Sequence, residues 1–197
     1  MTSEVDQAGP DDDARLAVQA AGGDTRAFSM LMRRHKDGIY RFCRRYVGDA
    51  DDAYDLTQQT FVSAWSALAR YDPKRAFTTW LRAIALNKCR DYGRRATVRR
   101  LIFGVRPNAE ASMAEVASEA PSAETQVHDV QVLRALERAL ATLPDALKTP
   151  LILIALDGLS TAEAAEVMGV SPKAVETRLY RARKALGARI GMATDRL

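Results

Sequence analysis

The sequence predicts an all-α protein: two small helical domains joined by a flexible linker. Three observations carry this. Alanine and leucine are abundant while β-branched, aromatic, glycine and proline residues are few, a balance that favours helix over strand. Apolar residues recur at helical spacing in one stretch after another. Between Pro107 and Leu133 that pattern lapses, and this Ala-, Ser- and Glu-rich stretch holds no Lys or Arg. With 197 residues and 47% hydrophobic content, the chain can form real cores and is not disordered throughout.

Residues 1–10 read as a disordered tail, too acidic and polar for a signal peptide. A first helix fits Asp11–Ala21 and stops at Gly22-Gly23. A second starts at the N-cap Asp24 and runs to about Val47, with Phe28, Leu31, Ile39, Phe42 and Tyr46 at helical spacing. A third runs from about Asp51 to Leu68 and turns Leu56, Phe61, Ala64, Trp65 and Leu68 inward. After the turn Tyr71-Asp72-Pro73, a fourth covers Phe77 to about Arg95. The first domain is thus expected over 11–96, the linker over 97–126, the second domain over 127–191 and a tail over 192–197. As a coil such a linker spans roughly 30 Å, and about 95 Å when extended. Its two domains can therefore reach sites more than two DNA turns apart, at about 34 Å per turn. In the second domain, helical pattern runs from near Val127 to Leu143. Pro144 starts another helix that ends at Asp157-Gly158, and two short ones follow, Ser160–Met168 and Ser171–Ala188.

The net charge of +4 says little, but its distribution says more. Positions 24–46 hold seven Lys/Arg against two Asp, positions 78–100 seven against one, and positions 171–190 six against one Glu. Basic blocks on foldable segments are the footprint of nucleic-acid binding, and equally of ordinary solvated helix faces. The acid is segregated elsewhere. Positions 49–69 carry four Asp and no Lys or Arg, a face unsuited to DNA and suited to a protein partner.

The strongest local signal lies near the C-terminus. Ser160-Thr161-Ala162-Glu163 is a capping box, Gly169 supplies a turn, and Ser171-Pro172 restarts a helix. That is the helix-turn-helix layout. In the second helix Val175, Leu179, Ala182 and Leu186 share one face. Lys173, Thr177, Tyr180, Arg181 and Lys184 share the other, which suits a major-groove reader. Lys173, Thr177 and Arg181 are expected at base edges or nearby phosphates, and Arg178, Arg183 and Lys184 at phosphates. Glu176 either accepts from cytosine N4 or pairs with an arginine.

The helix from Phe77 offers a second interface. Phe77, Trp80, Leu81, Ile84 and Ala85 form an apolar stripe, and Phe77 and Trp80 are assigned to the core. Arg82, Asn87, Lys88, Arg90, Arg94 and Arg95 are the candidates for gripping unstacked bases and their backbone. Strict periodicity puts Lys88 on the apolar side, so that the helix bends there or the side chain snorkels.

The run Phe77-x-x-Trp80-Leu81-x-x-Ile84-Ala85-x-Asn87-x-x-x-Asp91-x-x-Arg94 resembles region 2 of extracytoplasmic-function (ECF, group 4) sigma factors of the sigma-70 family. Asp51-Asp52-x-x-Asp55-Leu56-x-Gln58-x-x-Phe61 resembles that family's polymerase-binding helix. Leu143-Pro144, Leu156-Asp157-Gly158-Leu159-Ser160 and Tyr180-Arg181-Ala182-Arg183-Lys184-Ala185-Leu186 resemble region 4. The resemblance implies a two-domain bacterial sigma factor that directs promoter-specific initiation in a stress response. It implies contact with core RNA polymerase through Asp52, Asp55, Gln58 and Gln59, with Gln59 standing where the family usually has Glu. It implies melting of the minus-ten element with a flipped base near Asn87, and reading of the minus-thirty-five element by residues 172–184. It also implies an anti-sigma partner.

Other classes fit less well. Two histidines, His35 and His128, and no nucleophile–base pair or Gly-rich phosphate loop argue against an enzyme. A magnesium nuclease on Asp51, Asp52 and Asp55 lacks a partner acid on a second helix. The two cysteines, Cys43 and Cys89, read as buried thiols rather than a metal site. No cofactor, metal or membrane insertion is expected, and the expected location is cytoplasmic. The serious alternative is a stand-alone helix-turn-helix regulator with an N-terminal sensor or dimerisation domain.

Overall fold

A computed structural model describes residues 10–103, 139–140 and 142–194, which contain helices and turns and no strand. Helix α1 spans Pro10–Ala21, α2 Thr25–Val47, α3 Ala50–Ala67 and α4 Phe77–Phe103, with a 3₁₀ turn at Leu68–Arg70. The C-terminal part holds α5 (Asp145–Pro150), a π-helical segment (Leu151–Leu156), α6 (Thr161–Met168) and α7 (Pro172–Thr194). Local chemistry sets the starts. The Asp24 carboxylate accepts from the amides of Arg26 and Ala27 at 2.8 and 3.1 Å. Asp49 does the same for Asp51 and Asp52 at 2.9 and 3.0 Å. Each satisfies amides that a helix start leaves without an internal partner.

Three boundaries depart from the sequence reading. Helix α4 does not stop near Arg95 but continues through Thr97–Phe103, so helix fills the first part of the stretch read as linker. Ala96–Phe103 contains neither Gly nor Pro, so nothing there interrupts the hydrogen-bond ladder. Helix α7 likewise runs past Ala188 to Thr194, into the stretch read as a tail. The single helix expected from Pro144 to Asp157 divides in two at Pro150, which has no amide to donate. Beyond it the ladder widens, and the Asp157 amide bonds back five residues to the Ile152 carbonyl at 2.9 Å. Residues 1–9, 104–138, 141 and 195–197 lie outside the described residues. With them go nearly all of the expected N-terminal tail, the remainder of the expected linker and most of the expected Val127–Leu143 helix.

The apolar residues of α1 to α4 and those of the C-terminal helices form one core. Leu31, Phe42, Phe61, Phe77, Leu81 and Leu86 belong to the same buried cluster as Ile152, Leu153, Leu159, Ala165, Met168 and Val175. Each large side chain so buried contributes about 1.5–3 kcal/mol. Small residues matter too: Ala164 and Ala165, buried on α6, let that helix lie close to its neighbours. A second, smaller cluster of Leu140, Leu143, Leu151 and Ala182 seats α7 on α5.

Candidate nucleic-acid interface

The start of α4 is fixed by a nest of rings. Tyr71, Phe77 and Trp80 sit with centroids 5.1 to 5.6 Å apart in tilted and edge-on contacts, and His35 closes on Phe77 at 5.4 Å. The Tyr71 hydroxyl donates to the Arg75 carbonyl at 2.6 Å. Phe77 is fully buried and Trp80 half-buried, so both serve the core.

Beyond that nest, the six candidate residues of α4 do not share a face. Arg82 lies on the side facing the C-terminal helices, beside Asp157, and at about 100° per residue Arg90 falls between it and Asn87. Asn87 and Arg94 are exposed on the open side, where Arg94 is ion-paired with Asp91. Lys88 is half-buried beside α3, in a shallow groove with Gln59, Tyr92 and Arg95.

The acidic helix α3 also divides. Asp55, Gln58 and Gln59 are exposed. Asp52 is half-buried and accepts a hydrogen bond from the Tyr92 hydroxyl of α4. Burial, together with that carboxylate, pushes the Tyr92 phenol up to about 12. Trp65, expected to face the core, stays 40% exposed at its edge, against Phe28 at 4.9 Å.

The helix-turn-helix is built from its caps. The Ser160 hydroxyl accepts from the Glu163 amide at 3.2 Å, and the Ser160 amide donates to the Glu163 carboxylate at 2.8 Å. These bonds from Ser160 hold the Glu163 carboxyl below the usual carboxylate range. Gly169 takes a left-handed φ of 66°, closed to most other residues, and turns the chain into α7. The Ser171 hydroxyl then accepts from the Ala174 amide at 3.2 Å.

On α7, Val175 and Ala182 are buried, and Leu179 and Leu186 half-buried. Lys173, Glu176, Thr177, Tyr180, Arg181, Arg183 and Lys184 are exposed, with Arg178 half-buried at the flank. One open surface therefore carries most of the eight candidates. Glu176 pairs with Lys173 at 3.3 Å, not with an arginine.

One constellation had no signal in the sequence. The Asp157 carboxylate lies 2.6 Å from Arg45 Nη1 and 3.5 Å from Arg82 Nε. Lys148 is buried and donates to the Tyr46 carbonyl at 3.3 Å, its amine 5.1 Å from the Tyr46 ring. Burial lowers its affinity for a proton. Arg75 pairs with Glu166. The Arg45–Asp157, Lys148–Tyr46 and Arg75–Glu166 bonds each join residues about ninety or more positions apart. In the sequence Asp157 reads as part of a helix stop and of the region 4 resemblance, and neither points to these partners.

Among the described residues no group of three or more His, Cys, Asp or Glu is placed to hold a metal ion. No helix among them is long and apolar enough to cross a membrane.

Comparison with known proteins bears on both halves. Family models for Sigma-70 region 2 and Sigma-70, region 4 match residues 31–99 and 133–186. Over 179 residues the chain is 40% identical to the RNA polymerase sigma factor CnrH of Cupriavidus metallidurans, covering 90% of this chain and 94% of that protein. Over 170 residues it is 28% identical to the ECF RNA polymerase sigma factor SigW of Bacillus subtilis, covering 85% and 91%. The fold matches that of CnrH in complex with the cytosolic domain of CnrY. The TM-score is 0.66 and the identity 34%, over 92% of this chain and 98% of that one.

Proposed function

Since the chain belongs to the extracytoplasmic-function group of sigma-70 factors, we propose that it binds core RNA polymerase and directs promoter-specific initiation. The carrying observation is the division of surfaces along one chain. An exposed acid-and-amide face on α3 and two basic helices, α4 and α7, stand in the order of the two matched regions.

The polymerase contact falls to Asp55, Gln58 and Gln59, with Asp52 held behind them by Tyr92. Asn87 captures a flipped base of the minus-ten element. Arg82, Lys88, Arg90, Arg94 and Arg95 hold the strand around it, from more than one side of α4. The exposed face of α7 reads the minus-thirty-five element. Residues 11–96 and 127–191 are the two functional domains. The protein acts in the cytoplasm as a regulator, without chemistry of its own. CnrH is known in complex with the cytosolic domain of CnrY. We infer by analogy that an anti-sigma protein restrains this chain.

The test is transcription with purified core polymerase on a promoter library. Promoter-dependent transcripts are expected only when the chain is added, and are expected to disappear with Asp55→Arg. Tight binding to duplex operator DNA as a dimer, with no effect on core polymerase, overturns the reading.

A further inference from the structure

The C-terminal helices close onto the N-terminal ones along a charged seam, and Asp157 is at its centre. Its side chain is 5% exposed, with Arg45 on one oxygen and Arg82 on the other. A small anion between two guanidinium groups is how proteins hold a backbone phosphate. The fit is incomplete on one side. Arg82 Nε and Asp157 Oδ2 are buried, and among the described residues neither has a hydrogen-bond partner. Unmet buried polar groups weaken the closure they sit in.

Promoter reading demands that the seam part. A compact chain of this length has a radius of gyration of roughly 16 Å, and hence a diameter of about 40 Å. The minus-ten and minus-thirty-five elements lie about 25 base pairs apart, or roughly 85 Å at 3.4 Å per pair. Two readers that share a core do not span that distance.

We propose that Asp157 is an internal phosphate mimic that latches the free chain shut. Its carboxylate occupies Arg82, which strand capture needs, and holds the minus-thirty-five reader against the minus-ten domain. The proposal rests on the sigma-factor reading given above. Asp55, Gln58 and Gln59 stay exposed in the closed chain, as do Lys173, Thr177 and Arg181. Polymerase therefore docks on the closed chain, and Arg82 is released afterwards.

The test uses the full chain without polymerase. Small-angle scattering and binding of an A/T-rich single-stranded oligonucleotide are measured for the wild type and for Asp157→Asn. The variant is expected to shift to a larger radius of gyration. It is also expected to bind the oligonucleotide about ten-fold more tightly or better, because apparent affinity scales with the competent fraction. Arg45→Gln, which breaks the seam from the other side, is expected to expand as well. Unchanged size and affinity in Asp157→Asn overturn the latch. If that variant does not fold, a compact Arg45→Gln chain overturns it and an expanded one supports it. Failure of the sigma-factor reading shows separately, as absence of promoter-specific transcription by the wild type with core polymerase.

Discussion

The two basic helices meet their surroundings in opposite ways. Helix α7 buries a narrow edge, Val175 and Ala182, and leaves Lys173, Thr177, Tyr180 and Arg181 to solvent. Helix α4 lies among α2, α3 and the C-terminal helices, and its cations point three ways. The contrast separates two kinds of basic helix. On α7 a cation is free to meet DNA, and its loss costs the fold little. On α4 Arg82, Lys88 and Arg90 are half-buried in a packed environment, and function and stability are entangled there.

The sharpest way to break this contrast is a core truncation. Phe77→Ala, at the base of α4, is expected to cost about 3–5 kcal/mol in chemical denaturation, while Tyr180→Ala on α7 leaves stability near that of the wild type. Equal losses at the two sites would erase the distinction. Next in size, Arg181→Ala is expected to weaken binding to the cognate minus-thirty-five duplex by about 1–3 kcal/mol. An equal loss on random duplex would reduce Arg181 to a phosphate contact. Ser160→Ala removes half of the capping box and is expected to cost about 1 kcal/mol of stability, with local hydrogen exchange accelerating in α6.

A subtler effect lies at the foot of α4. Burial holds the His35 imidazole below its ordinary value of 6.5, against the opposing pull of Asp13 at 2.7 Å. The folded chain therefore keeps the ring neutral where the unfolded chain protonates it. Stability is present in full above pH 6.5 and declines as pH falls toward the folded value. Denaturation curves taken above and below pH 6.5 check this, and His35→Gln is expected to flatten that part of the profile. The smallest effect belongs to the exposed Lys173–Glu176 pair. Glu176→Gln is expected to leave stability unchanged and to alter only the preferred bases of the minus-thirty-five element, measured by binding selection.

What was legible in the sequence follows the same division. The helix-turn-helix could be read residue by residue, because caps and turn residues act locally and α7 answers to few neighbours. Ser160, Glu163, Gly169 and Ser171 all play the parts their identities suggest. On α4, arithmetic identified the core stripe of Phe77, Leu81 and Ala85 but did not show Arg82 half-buried against Asp157. That placement is imposed by a partner distant in the chain. The end of α4 was misplaced: no cap or breaker stands at Arg95, and the backbone ladder runs on to Phe103. The docking of the C-terminal helices onto the N-terminal core left no periodic trace at all.

The widened turn after Pro150 has a geometric consequence. A π turn is an α turn with one residue more, and each residue advances a helix by about 100°. Winding the same residues, Leu151 to Leu156, as an ordinary α-helix would add that residue's rotation and swing the carboxylate at the turn's end through more than a quarter of a circle. The widening absorbs the surplus residue and so sets the angular register of everything downstream. It acts as a shim, one amino acid thick, between the helix-turn-helix and the surface against which it rests.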